Sequence, residues 1–563
     1  MKKIIISALL LSTLGWYQAQ ENKTTEDKEL ETWYHQDFAT SKLYGVNTQN
    51  AYRFLESKGL KANPVVVGVL DSGVQVDHPG LKANIWVNTK EIPGNGIDDD
   101  KNGYVDDIHG WNFQGGKNGD VDVDVMEVTR VVAKYKPIFE GGDSEKNKQN
   151  QAQQPEAFKE YMKAKAIYDE KAPEAQRNYL FYKELQENIP TMMALLAGRN
   201  LTEETLASLK PESLKEKQAA FILGQMINDP ELKGKPAQEV EKKFSEDMAE
   251  GVKHFESQAL KQYNLGYDPR SIVGDNYNDV NERFYGNNHY EGPDALHGTH
   301  VAGIVAGLPT DKNAQYGVAY KVAKIMTVRA VPDGDERDKD VANAIRYAVD
   351  NGARILNMSF GKPISPNKEK VWEAFQYAQS KGVLLVKAAG NENEDISEHI
   401  YYPTNFKSPA DAQPFINNMI VVGASTNDNQ HLRASFSNYN QKMVDVFAPG
   451  DKIYSTIPTN EYKYLQGTSM ASPVVAGAAA VLLAYMPNLK PDQIIEALVK
   501  TVNKSTATAD IPGNVNSTFN YISRSGGVID VAKAAEYAYH HFYQAGNHKN
   551  TAPQKSKKKP VKR

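Results

Sequence analysis

Val65-Val66-Val67-Gly68-Val69-Leu70 carries no polar side chain, the mark of a strand covered on both faces. Strand-length runs recur at Lys324–Ala330, Arg354–Ser359, Val383–Ala389, Met419–Ala424 and Val444–Ala448. Between them the apolar positions fall at helical spacing. Asn47–Lys58 places Ala51, Phe54 and Leu55 on one side and closes at Gly59. Asp340–Val349 turns Val341, Ile345 and Ala348 inward and stops at Asn351-Gly352. Lys368–Lys381 and Pro491–Thr501 repeat the pattern. The apolar run Val474–Tyr485, too short to cross a bilayer, predicts a helix buried in a core. This alternation predicts an α/β architecture around a mainly parallel sheet.

The pattern breaks from about Gly115 to Pro293, where Lys, Glu, Gln and Ala dominate and amphipathic helical stretches are short. Prolines 155, 173, 190, 211, 230 and 236 punctuate them, which predicts a mostly helical insertion over 117–289. The flanking segments, 45–116 and 290–540, then form one domain. At the N-terminus, Met1-Lys2-Lys3 followed by Ile4–Leu14 has the form of a signal peptide spanning 1–20. Residues 21–44 follow as an extension, polar and loosely ordered at its start. The end, 541–563, is a basic disordered tail. Export to the periplasm, cell surface or exterior is expected, without a transmembrane anchor.

A net charge of −5 over 563 residues gives no support for nucleic-acid binding. The absence of cysteine excludes disulfides, so a large exported protein must draw extra stability elsewhere, and a bound cation is a candidate. Asp98, Asp100 and Asn102 offer oxygens at alternate positions, with Gly103 for a turn and Asp106 beyond, like the first half of a calcium loop. His109 at the twelfth position rules out an EF-hand.

Ser469 lies in Gly467-Thr468-Ser469-Met470-Ala471-Ser472-Pro473, at the mouth of the buried helix, where free N–H groups favour negative charge. A serine hydroxyl needs a base and an oxyanion donor to become a nucleophile. His297, in His297-Gly298-Thr299-His300-Val301-Ala302-Gly303, opens another helix and has a ring suited to proton transfer. Asp71 stands at the carboxyl end of the first strand, where open α/β sheets place functional groups.

The three segments, with Val69-Leu70-Asp71-Ser72-Gly73-Val74 the first, resemble the signature blocks of the subtilisin-like serine proteases over about residues 45–115 and 290–535. The resemblance implies a three-layer α/β/α fold and a serine endopeptidase working through an acyl-enzyme. It implies that Asp71 orients His297, the general base, and that Ser469 attacks the scissile carbonyl. His300 is then packed in its helix. Asn391, in Ala388-Ala389-Gly390-Asn391, matches the family's oxyanion asparagine. Ser359, Phe360 and Gly361 match its substrate-binding strand. Ala388, Ala389 and Gly390 match its pocket for the residue before the cut, which small residues would leave roomy, with Glu392 at the rim. Acidic loops like Asp98–Asp107 bind calcium in this family, so Asp98, Asp100, Asn102 and Asp106 are the expected ligands. Protein or peptide substrates and a monomeric state are expected. The alternatives are a binding protein that has kept only the scaffold, or a dedicated processing protease.

Overall fold

The computed structural model describes residues 29–310, 313–514 and 517–544. The expected signal peptide and all but the first four residues of the expected tail lie outside them. The first strand, β1 (Val65–Asp71), ends at Asp71. After it come β2 (Gly110–Asn112), β3 (Ala323–Arg329), β4 (Ile355–Met358), β5 (Leu384–Ala388), β6 (Met419–Ser425) and β7 (Val446–Pro449). A hairpin, β8 (Ile453–Ile457) and β9 (Glu461–Leu465), stands apart, and β10 (Asn503–Lys504) and β11 (Gly527–Val528) complete the main sheet. Its order is β10-β11-β7-β6-β5-β4-β1-β3-β2, parallel throughout except for β10 against β11.

Five helices matter for the site: α1 (Thr48–Ser57), α2 (Leu296–Ala306), α3 (Asp338–Asp350), α4 (Lys368–Ser380) and α5 (Thr468–Tyr485). Alternation along β1 explains the layers. Val65, Val67 and Val69 pack with α1, α2 and α5 in one buried core, while Leu70 joins α3 and α4 in the other. The fold is therefore α/β/α with a mainly parallel sheet, as expected. Helix α5 is long and apolar enough to cross a membrane by composition alone, but 94% of it is buried within the fold.

One expectation about the flanks, the disordered tail from 541, needs correction. Trp33, Tyr34 and His35 are buried, with the Trp33 indole donating to the Lys452 carbonyl (3.2 Å) and the Tyr34 hydroxyl to that of Tyr316 (3.0 Å). The later part of the extension is thus stitched to the core, and its expected loose start, residues 21–28, lies outside the described residues. At the other end, residues 539–544 continue as helix, with Phe542 and Tyr543 resting on the core.

Residues 123–268 form a second compact unit. It is helical, with its own core of Tyr182, Ile189, Met192, Leu196, Leu223, Val240, Phe244 and Met248. Its principal helix, Pro155–Leu196, runs 42 residues and does not stop at Pro173 or Pro190. Each proline costs one backbone hydrogen bond. Packing against the Ala237–Ser257 helix outweighs that loss, and at Gly251 a Cβ would come within 2.5 Å of the Tyr182 ring. Of these prolines, Pro155 opens a helix and Pro236 caps one, while Pro173 and Pro190 lie inside the long helix.

Candidate active site

Three strand ends and two helix starts converge at the carboxyl edge of the sheet. Asp71 closes β1 and is 2% exposed. Its Oδ1 accepts from the Ser72 N–H (2.8 Å) and lies 2.7 Å from His297 Nδ1, while Oδ2 is buried without a partner. Glycines permit this approach. A Cβ on Gly73, at φ +122°, would strike the Glu291 carbonyl at 2.0 Å, and one on Gly298 would strike that of Gly73 at 2.1 Å. Helix α2 can therefore press its first turn against the loop after β1, which brings His297 over Asp71.

Burial alone would lower the His297 pKa, but the Asp71 carboxylate at Nδ1 outweighs it, with Asp294 adding to the effect, so the value is raised above 6.5. His300 is different. Fully buried, with Nε2 on the Lys463 carbonyl (2.9 Å), it is pushed down to about 3 by desolvation and stays neutral.

Ser469 is the second residue of α5 and half-buried. Its hydroxyl donates to the Ser359 carbonyl (3.1 Å), and the Ser359 hydroxyl donates to the Ser469 carbonyl (2.9 Å). Among the described residues no hydrogen bond joins Ser469 to His297. Behind this exchange, Asn357 Nδ2 donates to Ser359 Oγ (2.9 Å) and Ser472 Oγ to Asn357 Oδ1 (2.8 Å). These contacts pin the start of α5 to the end of β4.

Asn391 Oδ1 accepts from the Thr468 N–H (2.8 Å) and hydroxyl (3.0 Å), which fixes the amide with Nδ2 turned away from that anchor. Asn391 Nδ2 and the Ser469 N–H nitrogen each lie 3.6 Å from the point a Cβ on Gly467 would occupy. Two donors thus border one small space beside the Ser469 hydroxyl, at the positive end of α5.

The expected substrate segments flank Ser469, but not every side chain faces outward. Phe360 and Ala389 are buried in the sheet core, so only their backbones are available to a bound strand. Ser359, Ala388 and Gly390 are also buried, and Gly361 is half-buried. Glu392 is not a free rim charge. Its Oε2 accepts from Asn438 Nδ2 (2.5 Å).

In the acidic loop, carboxylate oxygens of Glu91, Asp98 and Asp100 lie within 4.8 Å of one another. Asp106 does not join them. At φ +54° it turns its carboxylate onto the N–H groups of Gly94 (2.8 Å), Asn95 (3.3 Å) and Gly96 (2.9 Å). The Asn102 side-chain oxygen is taken by the Tyr104 N–H (2.8 Å). Asp275, in another acidic stretch, instead makes ion pairs with Arg270 (2.7 Å) and Lys339 (2.6 Å).

The subtilase family model matches residues 62–521, most of the chain. This chain belongs to the subtilase family. Subtilisin DY of Bacillus licheniformis is 37% identical over 43% of this subtilase and 77% of its own length. Thermitase of Thermoactinomyces vulgaris is 36% identical over 39% and 73%. The thermophilic serine proteinase of Bacillus sp. (strain AK1) is 39% identical over 39% and 51%. The protein is accordingly a serine protease of the subtilase type.

Sequence reasoning missed several residues of this site. Thr468, Asn357 and Ser472 orient it from within apolar surroundings, where a buried polar side chain implies a hydrogen-bond partner. Arg329 was missed as well. Only 1% exposed, it donates from Nε to the Ser72 carbonyl (2.9 Å) and from Nη1 to Asn112 Oδ1 (3.1 Å), bracing the loop after Asp71. Glu91 carries no motif, and only its nearness in sequence to Asp98 hinted at it.

Proposed function

We propose that the protein is an exported endopeptidase in which Asp71, His297 and Ser469 form the catalytic triad. The observation that carries this reading is the 2.7 Å contact between Asp71 and His297 beside a serine at a helix start. Asp71 fixes the imidazole with its proton on Nδ1, which leaves Nε2 free to act as base. An extended peptide pairing along Ser359–Gly361 needs the Ser359 carbonyl as an acceptor. It displaces the Ser469 hydroxyl, which then rotates toward His297 Nε2. The serine oxygen attacks the scissile carbonyl and its proton passes to His297. The developing oxyanion is held by Asn391 Nδ2 and the Ser469 N–H. His297 then protonates the leaving amine, and water hydrolyses the acyl-enzyme with the same base. Export rests on the basic and apolar N-terminal pattern.

Subtilases use calcium for stability, and the donor set here fits a hard cation. Glu91, Asp98 and Asp100 supply only oxygen, and three carboxylates so close repel one another without a counter-charge. Lys90, 3.9 Å from Asp100, offsets that only in part. These three residues would hold the ion, with Asp106 shaping the loop through its backbone contacts.

The test is Ser469→Ala. It should abolish labelling by a fluorophosphonate probe and lower turnover by several orders of magnitude at an unchanged melting temperature. Full activity in that variant removes Ser469 from its role.

A further inference from the structure

The pocket for the residue before the cut lies between the ends of β4 and β5, and in this chain a tyrosine stands in it. A Cβ on Gly361 would come within 2.4 Å of Tyr401 Cε1, and one on Gly390 within 3.0 Å of the same atom. One edge of the Tyr401 ring is therefore wedged between the two glycines that border the pocket. The ring edge thus takes up space that the small residues alone would leave open.

The ring is held from several sides. Lys387, 2% exposed, sits with Nζ 4.7 Å from the ring centroid and donates to the Ala388 carbonyl (2.5 Å). Glu392, whose charge acts on the phenol, is itself held by Asn438. Asn438 in turn donates to the carbonyls of Ala389 (3.1 Å) and Gly390 (3.0 Å). Burial and the neighbouring carboxylates Glu392, Glu336 and Asp335 keep the phenol protonated. A half-buried ring held at its face by Lys387 and along its edge by the Gly361 and Gly390 backbones resists swinging aside for a large side chain.

We propose that Tyr401 is the specificity-determining floor of this pocket and restricts the residue before the scissile bond to glycine, alanine or serine. The inference rests on the proteolytic reading above. It overturns the expectation of a roomy pocket.

The test uses the full chain and tetrapeptide p-nitroanilides that differ only in the residue before the anilide. In the wild type, kcat/KM for alanine should exceed that for phenylalanine by about 100-fold or more, since a side chain that cannot be seated loses several contacts at once. Tyr401→Gly should raise the phenylalanine rate and erase most of that ratio, while Tyr401→Phe, which keeps the ring, should leave it within about threefold. Wild-type enzyme that cleaves after phenylalanine as readily as after alanine overturns the proposal, as does an unchanged ratio in a folded, probe-reactive Tyr401→Gly. The wild-type ratio decides the matter even where the glycine variant does not fold. Wild-type protein inert toward the whole series and toward the fluorophosphonate sinks the proteolytic reading, and the pocket assignment with it.

Discussion

Replacing Asp71 by asparagine keeps the shape of the site and removes one charge. In the wild type the carboxylate lies 2.7 Å from His297 Nδ1 and is 2% exposed. The transition state carries an imidazolium, and two unit charges about 4 Å apart at an effective dielectric constant of about 20 attract by about 4 kcal/mol. Losing that attraction slows the reaction by about 10³-fold. Asparagine also lets the ring proton settle on Nε2, which blocks the base and adds a further factor of about ten. The expected kcat is therefore about 10³–10⁴-fold lower. The pH profile gives a second readout. With His297 as the proposed base, the wild-type rate should climb with pH through a midpoint raised above 6.5. Without the Asp71 carboxylate, desolvation is opposed by Asp294 alone, and the midpoint of the residual activity should fall. The same linkage acts on stability: the Asp71–His297 contribution is present in full below pH 6.5 and is lost as pH rises through the folded-state value. A pH series of kcat/KM on one peptide anilide, with a thermal melt of each variant, reads all of this. Activity within tenfold of wild type, with the acid limb unmoved, would refute the assigned role of Asp71.

Other expectations are cheaper to check. A calcium chelator should lower the melting temperature, and Glu91→Gln should weaken that response; no change on chelation in the wild type removes the ion from the acidic loop. Asp106→Ala should destabilise the protein whether or not calcium is present, because three backbone N–H groups lose their acceptor. Burial lowers the Lys387 pKa from 10.5 to about 8 against the pull of Glu392 and Glu336, a cost of about 3 kcal/mol at neutral pH. Wild-type stability should therefore rise between pH 8 and 10.5, where the unfolded chain holds more protons, and Lys387→Met should flatten that rise in a calorimetric pH series.

How legible each part was depended on whether its physics is local. The strands of the main sheet were legible because burial on both faces writes an unbroken apolar run, and the observed bounds of β1, β3 and β5 differ from the expected ones by only a residue at either end. The start of α5 was legible because the small residues around Ser469 lead directly into an unbroken apolar run. Asp106 was misassigned because alternate spacing of oxygens does not reveal a left-handed φ that turns a carboxylate inward. The 42-residue helix was misread because proline's penalty is local, while the packing that overrides it comes from a helix about sixty residues later. Tyr401 was invisible for the same reason. Nothing near it in sequence says that its ring fills the space between Gly361 and Gly390.

The separation of Asp71 from His297 by more than two hundred residues also has a physical account, and it lies at the stem rather than in the insertion. Asn112 and Asn287 exchange backbone hydrogen bonds of 2.9 and 3.1 Å. Asp120 Oδ1 accepts from both of their side-chain amides, at 2.8 and 2.9 Å. The chain therefore departs and returns through one paired stem beside β2. Beyond a closed stem, added length costs only slowly growing loop entropy, about 0.6 kcal/mol per doubling. Arg329 then links this stem to the chemistry. It binds the Asn112 side chain and the Val121 carbonyl on one side and the Ser72 carbonyl, next to Asp71, on the other. Because the guanidinium is 1% exposed and spends its donors on fixed oxygens, the position of Asp71 is set by the stem, not by the number of residues beyond it.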